Sequence, residues 1–141
     1  VEMSGTLRSL NAESREKMQA AIDRICISCA EAMRGSAEIR WEKGMPPLVN
    51  DRNVIEGLRT AAEKTIGADH VITVQNPSLG SEDFSFLFPL LAPGAQFRLG
   101  PGNDVDPNTR HGLHNSKNIF DDSCIAAGTA VLVQYTKDFL K

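Results

Sequence analysis

VEMSGTLRSLNAESREKMQAAIDRICISCAEAMRGSAEIRWEKGM, residues 1–45, separates into three segments of different hydrophobic period. Val1 to Leu10 reads as a strand from its first residue. Asn11 can then cap a helix, because Met18, Ile22, Ile25, Cys29 and Ala32 or Met33 recur at helical spacing up to about Gly35. Beyond it Ala37, Ile39 and Trp41 alternate with Glu38, Arg40 and Glu42, the period-two pattern of a strand with one wet face. Pro46-Pro47 closes that run. The expectation is a β-α-β unit and an α/β fold class. Two strands flanking one helix are too little sheet to stand alone, so the unit needs partner strands.

Working outward, a second helix is predicted from Asp51 or Asn53 to Thr65, with Val54, Leu58, Ala61 or Ala62 and Thr65 on one face and Gly67 past its end. His70-Val71-Ile72-Thr73-Val74 is a short β-run. Residues 76–118 are rich in Gly, Pro, Asn and Ser, with a helical patch near Ser81–Leu87 and a strand at Ala95–Gly100. From Asp121-Asp122-Ser123 the pattern is helical again, with Ile125, Ala126, Ala130 and Val133 as its expected core face. Pro46–Asp51 divides two compositionally different halves, giving expected domains at 1–45 and 46–141.

Composition narrows the function classes. The 141 residues are 41% hydrophobic and 23% charged, which is ordinary globular usage rather than that of a disordered or collagen-like chain. A net charge of -3 offers no electrostatic footprint for nucleic acid or an anionic membrane. No run approaches the ~20 apolar residues of a membrane-spanning helix, so a soluble protein is expected. Residue 1 is Val, and the strand-like start reads as a piece of a longer protein. Three cysteines, an odd number, fit reduced intracellular thiols and a cytoplasmic protein better than a disulfide framework.

The chemistry-bearing residues were weighed singly. Cys26 and Cys29 have the spacing of a metal or redox pair, but they fall inside a helix with no second Cys or His pair near them, so they read as small core-facing thiols. Cys124, near the start of the last helix, also reads as packing, and His70 as a surface or packing residue. His111 and His114 lie in Arg110-His111-Gly112-Leu113-His114-Asn115-Ser116, a loop able to present a neutral imidazole to zinc or simply to carry two polar side chains. Gly80-Ser81-Glu82-Asp83-Phe84 opens a helical patch where backbone N–H groups favour an anionic or polar ligand. Arg8 shares a face with Thr6 and has the planar fork that grips a carboxylate.

Taken in order, five stretches resemble one family: GTLR at Gly5–Arg8, PPLVND at Pro46–Asp51, LGSEDF at Leu79–Phe84, PGAQFRLG at Pro93–Gly100, and LHN…FDDSCIAAGTA from Leu113 to Ala130. The chain resembles the C-terminal portion of the zinc-dependent amidohydrolases of the hippurate hydrolase, aminoacylase and indole-acetyl-amino-acid hydrolase group, related to dimetal carboxypeptidases. The resemblance implies the end of a ferredoxin-like β-α-β lid segment that mediates homodimerisation, followed by the C-terminal α/β part of a dimetal catalytic domain. It implies a metal-ligating role for His114, a substrate-carboxylate role for Arg8 and a pocket-lining role for Gly80 and Ser81. His111 has no secure counterpart. It further implies zinc or manganese, two ions in the intact enzyme, and a small N-acyl amino acid or peptide substrate. The other metal ligands and the general base would lie upstream of Val1, so this chain alone is expected to be inactive. A catalytically dead oligomerisation or regulatory module derived from the same fold is the alternative expectation.

Overall fold

The computed structural model describes residues 1–88, 90 and 92–141 in full, and 89 and 91 by backbone course alone. The chain divides into two compact units, Val1–Val49 with Val74–Ala92, and Asn50–Thr73 with Pro93–Lys141.

In the first unit α1 runs Ala12–Ala32. Its start is set by Asn11, whose side-chain oxygen accepts from the Ser14 N–H at 2.8 Å and satisfies an amide that has no partner within the helix. Its end is a tight reversal. Arg34 adopts φ 58°, and the Gly35 N–H reaches back to the Ala30 carbonyl at 2.8 Å. The helix is where the apolar period puts it, but none of its residues is buried.

The two flanking segments correct the sequence reading. Among the described residues there is no strand, so neither an α/β fold nor a β-α-β segment is present. Residues 1–9 and 35–50 are irregular, without a backbone ladder. Side chains instead tie the second segment to α1. Trp41 Nε1 donates to Asp23 Oδ1 at 2.8 Å, and Arg15 Nη2 to the Met45 carbonyl at 2.6 Å. The alternation of Ala37–Glu42 is genuine, yet alternation only makes a segment fit for pairing. A ladder requires a neighbouring strand, and among the described residues none pairs with either flanking segment. The same holds for His70–Val74, where a 3-10 turn at Ala68–His70 gives way to unpaired chain, and for Ala95–Gly100.

The second unit is built on two helices, α2 (Arg52–Ile66) and, after the short α3 (Phe88–Leu91) of the first unit, α4 (Ser123–Phe139). Asp51 caps α2 by accepting from Asn53 and Val54 N–H at 2.9 and 3.0 Å. Gly67 ends it at φ 87°, a value that costs a residue without a side chain little. Leu58 and Ala61 of α2 and Val131 of α4 are the buried apolar residues. A Cβ on Gly57 would lie 2.8 Å from Tyr135 Cε2, and one on Gly128 2.8 Å from Leu99 Cδ2, so both glycines permit close packing. The buried positions of α4 are Gly128 and Val131 rather than the expected Ile125, Ala126, Ala130 and Val133, which stay exposed. α4 is apolar on more than one side, so its period fits two rotations about the axis. The small side at Gly128 decides between them.

Candidate functional site

Two groups of expected site residues lie in different units. In the first unit, Arg8 reaches the turn that precedes the 3-10 helix Asp83–Phe86. Its Nη1 donates to the Leu79 carbonyl at 3.0 Å and to Ser81 Oγ at 2.7 Å. These bonds join GTLR to LGSEDF across 73 residues of chain. Both acceptors are neutral, the contacts are solvent-exposed, and they engage only Nη1 of the guanidinium's three nitrogens. Gly80 sits between the two acceptors. Its N–H is already used, donating to Ser78 Oγ at 3.0 Å, so the turn does not present that amide to a ligand. Glu82 Oε1 accepts from Phe84 N–H at 3.3 Å and fixes the start of the 3-10 helix. Phe84 and Phe88 meet edge to face at 5.1 Å beneath that helix's end. Arg8, Gly80 and Ser81 are thus brought together.

In the second unit His114 stands exposed in the loop ahead of α4 with φ 66°. That left-handed backbone is uncommon outside glycine and costs about 1 kcal/mol or more, although histidine tolerates it better than most residues. Strained residues of this kind concentrate at functional sites when the surroundings hold them. The segments on either side of its loop carry a polar network that sequence reading missed. Asn103 Nδ2 donates to Asp121 Oδ2 at 2.6 Å, while Asn103 Oδ1 accepts from Val105 and Asp106 N–H at 2.9 and 2.8 Å. Asp106 caps the 3-10 helix Pro107–Arg110, and the buried Thr109 donates to the Asp106 carbonyl at 2.6 Å. Arg110 bonds the Asn103 carbonyl and pairs with Asp104. Hydrogen bonding from the Asn103 amide, then from Ser123, holds the Asp121 carboxyl below the usual carboxylate range. The signal for this network was Asn103-Asp104-Val105-Asp106-Pro107-Asn108, an Asx- and Pro-rich turn sequence.

Among the described residues no group of three or more His, Cys, Asp or Glu side chains could hold a metal ion. A structural or catalytic zinc needs at least three protein ligands, and the described residues gather no such set around His114. His111 and His70 are exposed as well, and no partner brings either to His114. Cys26 and Cys29 are exposed on α1, not core-facing as expected, while Cys124 is half-buried.

The chain is similar in sequence to several known proteins. A probable hydrolase of Synechocystis sp. is 33% identical over 132 residues, covering 94% of this chain and 33% of that protein. A thermostable carboxypeptidase of Saccharolobus solfataricus is 31% identical over 132 residues, 90% of this chain and 31% of its own length. An N-acetyl-L-cysteine deacetylase of Bacillus subtilis is 26% identical over 140 residues, 99% of this chain and 31% of its own. The chain thus spans about a third of the length of these curated relatives. No solved structure matches it. The model of Peptidase family M20/M25/M40, a family that is generally metal-dependent, matches residues 5–138, which takes in all five motif stretches. The chain belongs to Peptidase family M20/M25/M40.

Proposed function

We propose that this chain is the C-terminal part of a metal-dependent hydrolase that cleaves the amide bond of N-acyl amino acids or short peptides. The observation that carries the reading is the contact of Arg8 with Leu79 and Ser81, which unites two family motifs at one charged, solvent-facing group. The names of relatives that are a carboxypeptidase and a deacetylase support an amide substrate bearing a free carboxylate.

In this reading Arg8 orients the substrate. With Nη1 held by two neutral acceptors, the guanidinium cannot swing freely, and its remaining N–H groups take the two carboxylate oxygens side by side. Ser81 and Gly80 form the floor beneath that contact, Ser81 by positioning Arg8 and Gly80 by leaving room without a side chain. His114 contributes one imidazole toward a zinc or manganese centre whose other ligands lie outside these residues.

The test uses the whole protein that contains this chain. Arg8→Ala should raise KM for an N-acetyl amino acid by roughly 10- to 100-fold, the loss of one charge-assisted bidentate contact. It should leave KM for the corresponding methyl ester within about twofold, because the ester has no carboxylate to hold. An equal loss on both substrates would assign Arg8 to structure and remove it from recognition. The alternative, a non-catalytic module, has one observation in its favour, the absence of a metal-holding group among the described residues. It predicts that the whole protein also binds no ion.

A further inference from the structure

Cysteine is among the most frequently buried residue types, yet Cys26 and Cys29 both lie exposed on α1. Their three-residue spacing stacks them on one face of the helix, with Cβ atoms about 5–6 Å apart. Met33, at 84% exposure, follows four residues after Cys29 and seven after Cys26, so its thioether falls on the same stripe. Three sulfur side chains therefore project into solvent from the last two turns of one helix. A disulfide between Cys26 and Cys29 needs Cβ atoms about 3.5–4.5 Å apart, closer than regular helix spacing, and both cysteines are free.

We infer that Cys26, Cys29 and Met33 form a three-sulfur site for a soft monovalent cation of the copper(I) class. Thiolate and thioether donors select such ions, whereas zinc would ask for a fourth ligand. Two thiolates and one thioether satisfy the low coordination number that copper(I) accepts. An ion with metal–sulfur bonds a little over 2 Å also spans a gap that a direct sulfur–sulfur bond cannot close. The reaction is ligand exchange with no change of oxidation state. One copper(I) ion binds two thiolates, two protons leave the thiols, and Met33 adds a neutral donor. Affinity should therefore rise with pH. The site is independent of the hydrolase reading, since it uses none of Arg8, Gly80, Ser81 or His114.

The test is anaerobic titration of the reduced full chain with copper(I) presented by a coloured bidentate chelator, read by chelator bleaching and by X-ray absorption at the copper edge. The expected result is one copper per chain with three sulfur neighbours. Cys26→Ser and Cys29→Ser should each weaken binding at least 100-fold, and Met33→Leu about tenfold. Cys124→Ser should change nothing, and helical circular dichroism should be the same for all four variants. Failure to compete with the chelator would overturn the inference. So would one copper per two chains, or undiminished binding when either Cys26 or Cys29 is replaced.

Discussion

His114 has a backbone in the left-handed region and an exposed side chain, and the segments that flank its loop are tied to each other through Asn103 and Asp121. A histidine held there for structure alone would be hard to explain, because glycine would adopt the same conformation without strain. His114→Gly should therefore leave the thermal unfolding of the whole protein unchanged or raise its stability by up to about 1 kcal/mol. The same variant should lower the bound metal per protein, read by elemental analysis. A drop in stability with metal content intact would mean that the imidazole serves the fold. Arg8 shows the complementary logic. Its partners Leu79 and Ser81 are uncharged, so they fix the guanidinium in place without consuming its charge. Arg8 and His114 stand out in the sequence individually, by motif and residue type. The polar network flanking the His114 loop does not, because side-chain bonds from Asn and Asp to nearby backbone amides depend on turn geometry rather than on any periodic pattern.

α2 and α4 carry what core the second unit has, and their contact is set by what is missing as much as by what is present. Gly57 would ordinarily cost a helix about 1 kcal/mol relative to alanine. It is kept because an added Cβ would meet the Tyr135 ring at 2.8 Å, a ring that also stacks on Phe139 at 6.2 Å. Gly57→Ala should therefore destabilise by about 1–2 kcal/mol despite its better helix propensity, and pairing it with Tyr135→Leu should recover most of the loss. Denaturant unfolding of the two variants decides it, and a net gain from Gly57→Ala alone would refute the close-packing account. Lys64 Nζ also reaches Asp138 Oδ2 at 2.8 Å across the same pair of helices. That bond, followed by one from Gln134, lowers the Asp138 carboxyl from 3.8 to about 2. A depressed acid stabilises the fold above its unfolded value and loses that contribution as pH falls through the folded one. The stability difference between the natural chain and Lys64→Met should thus be constant above about pH 5 and fall away as pH drops through about 2. Sequence period located α1, α2 and α4 and the cap at Asn11, since helices close their backbone bonds within one segment. It misjudged the extended segments, since a strand is completed only by a neighbour that the pattern cannot name.

Among the described residues only Leu58, Ala61 and Val131 are buried apolar residues, while Ile72, Val105, Leu113, Phe139 and other large apolar side chains are widely exposed. The contrast agrees with a chain that spans about a third of its relatives' length. It also explains why membership of Peptidase family M20/M25/M40 was readable from five short motifs while the fold class was not. Motifs report local chemistry, whereas sheet topology depends on strands that residues 1–141 do not pair. No helix is long and apolar enough to cross a membrane. The central claim is that these residues serve an amide hydrolase that requires a metal ion. It is tested most directly by steady-state hydrolysis of a series of N-acetyl amino acids by the whole protein, before and after removal of metal with a chelator and after return of zinc or manganese. The account predicts turnover that chelation abolishes and the ion restores, with the free-carboxylate substrate preferred over its ester. Absence of hydrolysis across the series by the metal-loaded protein, or turnover indifferent to chelation, would contradict it.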